Sequence, residues 1–149
     1  MARSSLGTSS SRRSTAAGAS EIGSERWSRG LAAYASQFEI PESEVLEHMS
    51  GMLGERMAHE AIVAAGGAWV DDCLSPRDRS LLVVASLVTQ GGAEARLRGH
   101  LRWALERGVT GEELEALMTL LAVYAGYPRA STAIELLRDE LATREDPTE

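Results

Sequence analysis

The run RSLLVVASLVTQ at residues 79–90 is apolar nearly all round. A helix of that pattern has to be covered on most sides, so it belongs inside a packed set of other elements. Its valines taken alone would suit a strand. Its length and the helix signals around it favour a helix over about residues 77–90. Ser75, Pro76 and Asp78 supply a capping serine, a first-turn proline and an acid at the third position. Gly91-Gly92 follows as the stop.

The elements that would do the covering read as helices too. SERWSRGLAAYASQF opens on Ser24 and spaces Trp27, Leu31, Tyr34 and Phe38 along one helical face. Pro41, Glu42 and Glu44 suit the start of a second helix. The stretch VLEHMSGMLGERMAHEAIVAAGGAWV is helical in pattern, with a break expected near Gly51 to Gly54 and a firm end at Gly66-Gly67. AEARLRGHLRWALERG places Leu97, Leu101, Ala104 and Leu105 inside and ends at Gly108. Thr110 and Glu113 form a capping box for GEELEALMTLLAVYAG, and YPRASTAIELLRDELATRE closes the chain as an amphipathic helix. The expected fold is a compact all-α domain of six or seven helices over residues 23–145. Residues 1–22 are expected to be a disordered Ser/Arg-rich tail: the first twenty hold three arginines, no acid and only Leu6 as a sizeable apolar side chain.

Composition narrows the chemistry. The 149 residues suffice for one domain, and a hydrophobic share of 44% with 25% charged residues fits a soluble protein. A net charge of −7 argues against nucleic-acid binding, which needs surplus cations. All 15 basic residues are arginine, which removes Schiff-base and P-loop lysines. Cys73 stands alone, so neither an internal disulfide nor a cysteine metal cluster is possible. With no run of about 18 apolar residues, neither a membrane span nor a membrane partner is expected, and the location expected is cytoplasmic.

His100 is the first candidate for chemistry. On a helix it shares a face with Arg96, Leu97, Trp103 and Ala104. Imidazole, a nearby indole and a guanidinium one turn away suit an unsaturated, anionic small molecule: arginine holds a carboxylate and histidine moves a proton near neutral pH. The plainer reading is a partly buried histidine bonded to a backbone carbonyl. Trp69 either closes such a pocket or fills the core. Tyr124 and Tyr127, flanking Gly126, read first as core residues with satisfied hydroxyls, with Tyr124 as a candidate to reach substrate. Arg77 and Arg79 oppose the dipole of the helix they start, so an ion-pairing or interface role competes with substrate binding. His59 lacks a second ligand at zinc spacing, His48 reads as a surface residue, and Cys73 as incidental.

The segment from Leu74 to Leu141 resembles the carboxymuconolactone decarboxylase family, whose fold is related to the alkylhydroperoxidase D-like proteins. The resemblance rests on LSPRDRSLLVVASL, LRGHLRWALERGVTGEELEALM and AVYAGYPRASTAIELL, and most specifically on RGHLRWAL, GVTGEE and YAGYP. GAWVDDCLSPRDR is similar to the family's approach to the first of these helices, with Trp69 at its tryptophan. The resemblance implies an alkylhydroperoxidase D-like fold, an obligate homo-oligomer (trimer or hexamer) and His100 as the proton donor. It further implies Arg96 as anion anchor, Trp69 and Trp103 as apolar walls, and Ser80 and Tyr124 among substrate contacts. The peroxidase branch carries two cysteines before the histidine. Arg96 and Ala93 or Gly92 hold those places here, which turns the expectation away from redox. Many relatives carry polar groups where this chain has Ala116 and Leu120, so the implied pocket is more apolar. The activity implied is a cofactor-independent lyase acting by acid/base chemistry on an unsaturated anion, with no metal. An isomerase, dehydratase or cyclase tailoring a larger conjugated substrate, and a non-catalytic small-molecule-binding oligomer, stand as alternatives.

Overall fold

Caps and glycines set the helix boundaries throughout. The computed structural model describes residues 9–70 and 73–145, with side chains described over 21–70 and 73–144. It contains α1 (Ser9–Phe38), α2 (Glu42–Leu53), α3 (Glu55–Ala68), α4 (Pro76–Gln90), α5 (Glu94–Glu106), α6 (Gly111–Ala125) and α7 (Tyr127–Glu145). Among the described residues the fold is thus all-α with seven helices, consistent with the alkylhydroperoxidase D-like architecture expected. Residues 1–8 of the expected tail lie outside the described residues, and α1 runs through residues 9–22. No described helix is long and apolar enough to cross a membrane.

The chain divides into two compact units, Met1–Asp71 and Asp72–Glu149. In the first, α1 packs on α3 and on α2 around Val45, Met49, Ala58 and Ile62, with Trp27, Leu31, Tyr34 and Phe38 against them. Gly54, at φ 79°, separates α2 from α3 inside the expected break. The expected stop at Gly66-Gly67 is corrected, because α3 continues to Ala68. Here glycine serves packing and not termination. A Cβ at Gly66 would fall 1.7 Å from the Arg26 carbonyl oxygen, and one at Gly30 would fall 1.8 Å from that of Ile62. The two helices therefore cross backbone to backbone, and the glycines are what allow it.

In the second unit, α4 to α7 enclose Val84, Val88, Leu97, Leu101, Ala104, Val109, Leu114, Met118, Ala133 and Leu137. Ser75 caps α4 by accepting from the Asp78 N–H at 3.0 Å, with Pro76 in the first turn. The Thr110–Glu113 capping box opens α6 as its sequence dictates. Arg77 reaches from α4 to pair with Glu113. That carboxyl is held below its usual range first by the Thr110 backbone N–H and then by Arg77. The all-round apolar α4 is covered on one side by its own unit: Val84 and Val88 are buried, while Leu82 is exposed.

The placement of α5 depends on one buried acid. Glu140 of α7 has a side chain only 6% exposed. Arg98 donates to its Oε1 at 3.4 Å, and Arg102 donates through Nε to Oε2 at 3.3 Å and through Nη2 to Oε1 at 3.4 Å. Arg144 returns the tie by donating to the Arg102 carbonyl at 3.1 Å. A carboxylate buried to this degree persists only when paired and hydrogen-bonded, so the pairing fixes α5 against α7.

Candidate functional site

Helix α5 carries two stripes. Leu97, Leu101 and Ala104 enter the core. Arg96, His100, Trp103 and Arg107 follow one another at helical spacings of four, three and four along an adjacent stripe. The His100 and Trp103 rings meet edge to face, with centroids 4.8 Å apart and planes at 85°. The indole so placed walls one side of the imidazole with apolar surface.

Electrostatics around His100 are one-sided. Its pKa is lowered from 6.5 to about 4, first by burial, then by the charge of Arg107 and then by that of Arg96. Such a histidine is neutral at pH 7. An anionic ligand would oppose the two cationic contributions, while burial, the larger cause, would still favour the neutral ring.

Ser80 anchors the far end of the stripe. It is 1% exposed, donates its hydroxyl to the Pro76 carbonyl at 3.0 Å and accepts from Arg107 Nη1 at 3.2 Å. The half-buried Arg107 guanidinium has its pKa lowered by desolvation, partly offset by Glu106. The structure thus brings His100 and Trp103 together and ties Ser80 to Arg107, with exposed Arg96 acting on His100 through its charge. Arg107 was missed by sequence reasoning. Its seven-residue distance from His100, about two turns on at the C-cap of α5, was the available signal.

The other candidates lie elsewhere. Trp69 caps the C-terminus of α3 in the first unit. The reading of Tyr124 and Tyr127 as core residues is corrected: they are 80% and 77% exposed at the junction of α6 and α7, where the Gly126 turn carries them outward. Ala116 and Leu120 line an open groove on α6 with Val123. A cavity of about 440 Å³ opens beside the α4–α5 turn between Leu87, Val88, Leu97, Gly91, Arg129 and Thr132; His100 is not in its wall. In the first unit His59 stacks on Trp27 at 4.8 Å and exposed His48 lies against Phe38 at 4.7 Å, which accounts for both as packing residues. Cys73 is exposed.

Comparison with known proteins bears on the same segment. The profile of the carboxymuconolactone decarboxylase family matches residues 57–139, more than half of the chain. The chain is 36% identical over 76 residues to 4-carboxymuconolactone decarboxylase of Acinetobacter baylyi, a match that covers 51% of this chain and 56% of that protein. The chain thus spans little more than half the length of this curated relative.

Proposed function

The chain belongs to the carboxymuconolactone decarboxylase family, and on that premise we propose that it is a cofactor-independent lyase acting on an unsaturated carboxylate. The observation that carries the proposal is the His100–Trp103 pair flanked by guanidiniums, on a helix inside the matched segment. In this reading Arg96 anchors a carboxylate. Its negative charge offsets the cationic field, and His100 takes up a proton from water. The carbon–carboxyl bond then breaks, its electron pair enters the conjugated carbonyl as a dienolate, and carbon dioxide leaves. His100 delivers its proton to carbon, so one solvent proton is consumed per turnover. Trp103 keeps water from the dienolate. Ser80 acts from beneath the stripe through Arg107, while Tyr124 joins only as a wall contributed by another surface.

The same proposal includes a homo-oligomer, a trimer or hexamer. It is supported by the exposed Leu82, Leu120, Val123, Tyr124 and Tyr127, apolar surface that a second copy could cover.

A second reading keeps the proton transfer and drops the loss of carbon dioxide. The apolar groove of Ala116, Leu120 and Val123 favours a larger conjugated substrate, on which His100 would run an isomerisation, dehydration or cyclisation. Incubation of the full chain with 4-carboxymuconolactone separates the two. Release of one carbon dioxide per lactone consumed supports the lyase. An unchanged lactone, alongside conversion of larger conjugated acids without release of carbon dioxide, supports the second reading and rejects the first.

A further inference from the structure

The cavity of about 440 Å³ beside the α4–α5 turn has no task in the reading above. Its walls belong to the second unit alone, and His100 is not among them. Small-molecule pockets typically hold about 300–1,000 Å³, and this one falls within that range. Leu87, Val88 and Leu97 give it an apolar floor. Val88 and Leu97 are 2% and 5% exposed, so the floor is continuous with the packed core.

The wall carries one cation and one acid. Arg129, near the start of α7, donates through Nη1 to the Thr89 carbonyl in the last turn of α4. Gly91, at φ 68°, leaves room for that side chain: a Cβ there would fall 3.3 Å from Arg129 Nε. A neutral carbonyl orients the guanidinium without neutralising it, and no acid among the described residues pairs with Arg129. Glu94, in the first turn of α5, lines the same cavity and likewise pairs with no cation among the described residues. Thr132 adds a neutral acceptor, because its hydroxyl proton is given to the Pro128 carbonyl at 3.1 Å and its lone pairs remain.

Two opposite charges that share a cavity without meeting suit a ligand that carries both. We propose that this cavity binds an α-amino acid with a large apolar side chain. Arg129 holds the carboxylate through N–H groups not given to Thr89, and Glu94 with Thr132 receives the ammonium. Leu87, Val88 and Leu97 take the apolar side chain. A simple carboxylic acid would leave Glu94 without a partner, and a simple amine would leave Arg129 without one. The inference does not rest on the chemistry at His100.

The test is isothermal titration calorimetry of the full chain with three probes. They are L-phenylalanine, 3-phenylpropionate, which lacks the ammonium, and 2-phenylethylamine, which lacks the carboxylate. L-Phenylalanine is expected to bind with a Kd below about 1 mM, and each analogue at least about tenfold more weakly. Backbone amide signals of Gly91, Gly92 and Leu97 should move on binding. Glu94→Gln should abolish the preference over 3-phenylpropionate, and Arg129→Gln the preference over 2-phenylethylamine. Both replaced side chains are exposed, so both variants are expected to fold. A Kd for L-phenylalanine above about 1 mM, equal affinity for the three probes, or amide shifts confined to other residues would overturn the proposal. So would an Arg129→Gln chain that loses stability yet keeps the parent's affinity for L-phenylalanine, since Arg129 would then only close the end of α4.

Discussion

The pairing of Glu140 with Arg98 and Arg102 makes an asymmetric prediction about stability. Replacing both arginines by methionine keeps their aliphatic stems but leaves a carboxylate at 6% exposure without a cation. Stranding a buried charge in this way costs about 3–5 kcal/mol. Glu140→Gln is the opposite perturbation. It leaves Arg98 and Arg102 with side chains 39% and 55% exposed, both able to turn to water, and Gln keeps one acceptor oxygen. Its cost should be about 1–2 kcal/mol, the scale of weakened charge-assisted hydrogen bonds. The Arg98–Asp139 pair, lost with Arg98, adds little because Asp139 is 64% exposed. Equilibrium urea unfolding followed by circular dichroism measures both. With an m-value of about 2 kcal/mol/M, the double arginine variant should lose roughly 2 M in midpoint and Glu140→Gln less than about 1 M. Adding Glu140→Met to the double variant should restore most of the loss, since no buried charge then remains. The reasoning fails if the double variant is no less stable than Glu140→Gln, or if the triple variant is not restored.

Three further outcomes are expected. His100 in the free protein should titrate with a midpoint near pH 4 by NMR; because its pKa is lowered on folding, the unfolded chain takes the proton first, so stability should decline as pH falls from about 6.5 to about 4 and level off below, a slope that His100→Gln removes. Thr110→Ala, which removes the side-chain acceptor for the Glu113 N–H at 3.1 Å, should cost about 1 kcal/mol in urea unfolding, and no measurable loss would show that the cap is not in place. Gly66→Ala should cost about 3 kcal/mol or more by forcing α1 off α3, whereas Gly67→Ala, whose Cβ would meet only the flexible Arg26 side chain at 3.5 Å, should be neutral or stabilising by up to about 1 kcal/mol. Equal effects at the two glycines would refute the close crossing.

What the sequence revealed were the features written into consecutive residues. Ser75-Pro76-Arg77-Asp78 and Thr110 with Glu113 announce their helices because capping is local chemistry, and both caps form. Gly66 was misread because a glycine that ends a helix and one that admits a neighbouring backbone look alike until Arg26, forty residues earlier, is seen against it. In the candidate site, the stripe from Arg96 to Trp103 follows from helical periodicity. The contact of Arg107 with Ser80, which sits on α4, spans a sequence distance of 27 residues. The depressed pKa of His100 depends on burial in the folded unit, which no spacing rule supplies. Tyr124 and Tyr127 are large and partly apolar, and only the direction of the Gly126 turn shows that they face outward.

The central claim is that His100 transfers the proton to carbon. Steady-state decarboxylation of 4-carboxymuconolactone by the full chain and by His100→Gln tests it most directly, with sorbate affinity measured in parallel on both. The account predicts that His100→Gln lowers kcat by about 10²- to 10⁴-fold while changing sorbate affinity by less than about threefold. A His100→Gln chain that retains kcat within about tenfold of the parent would contradict the account.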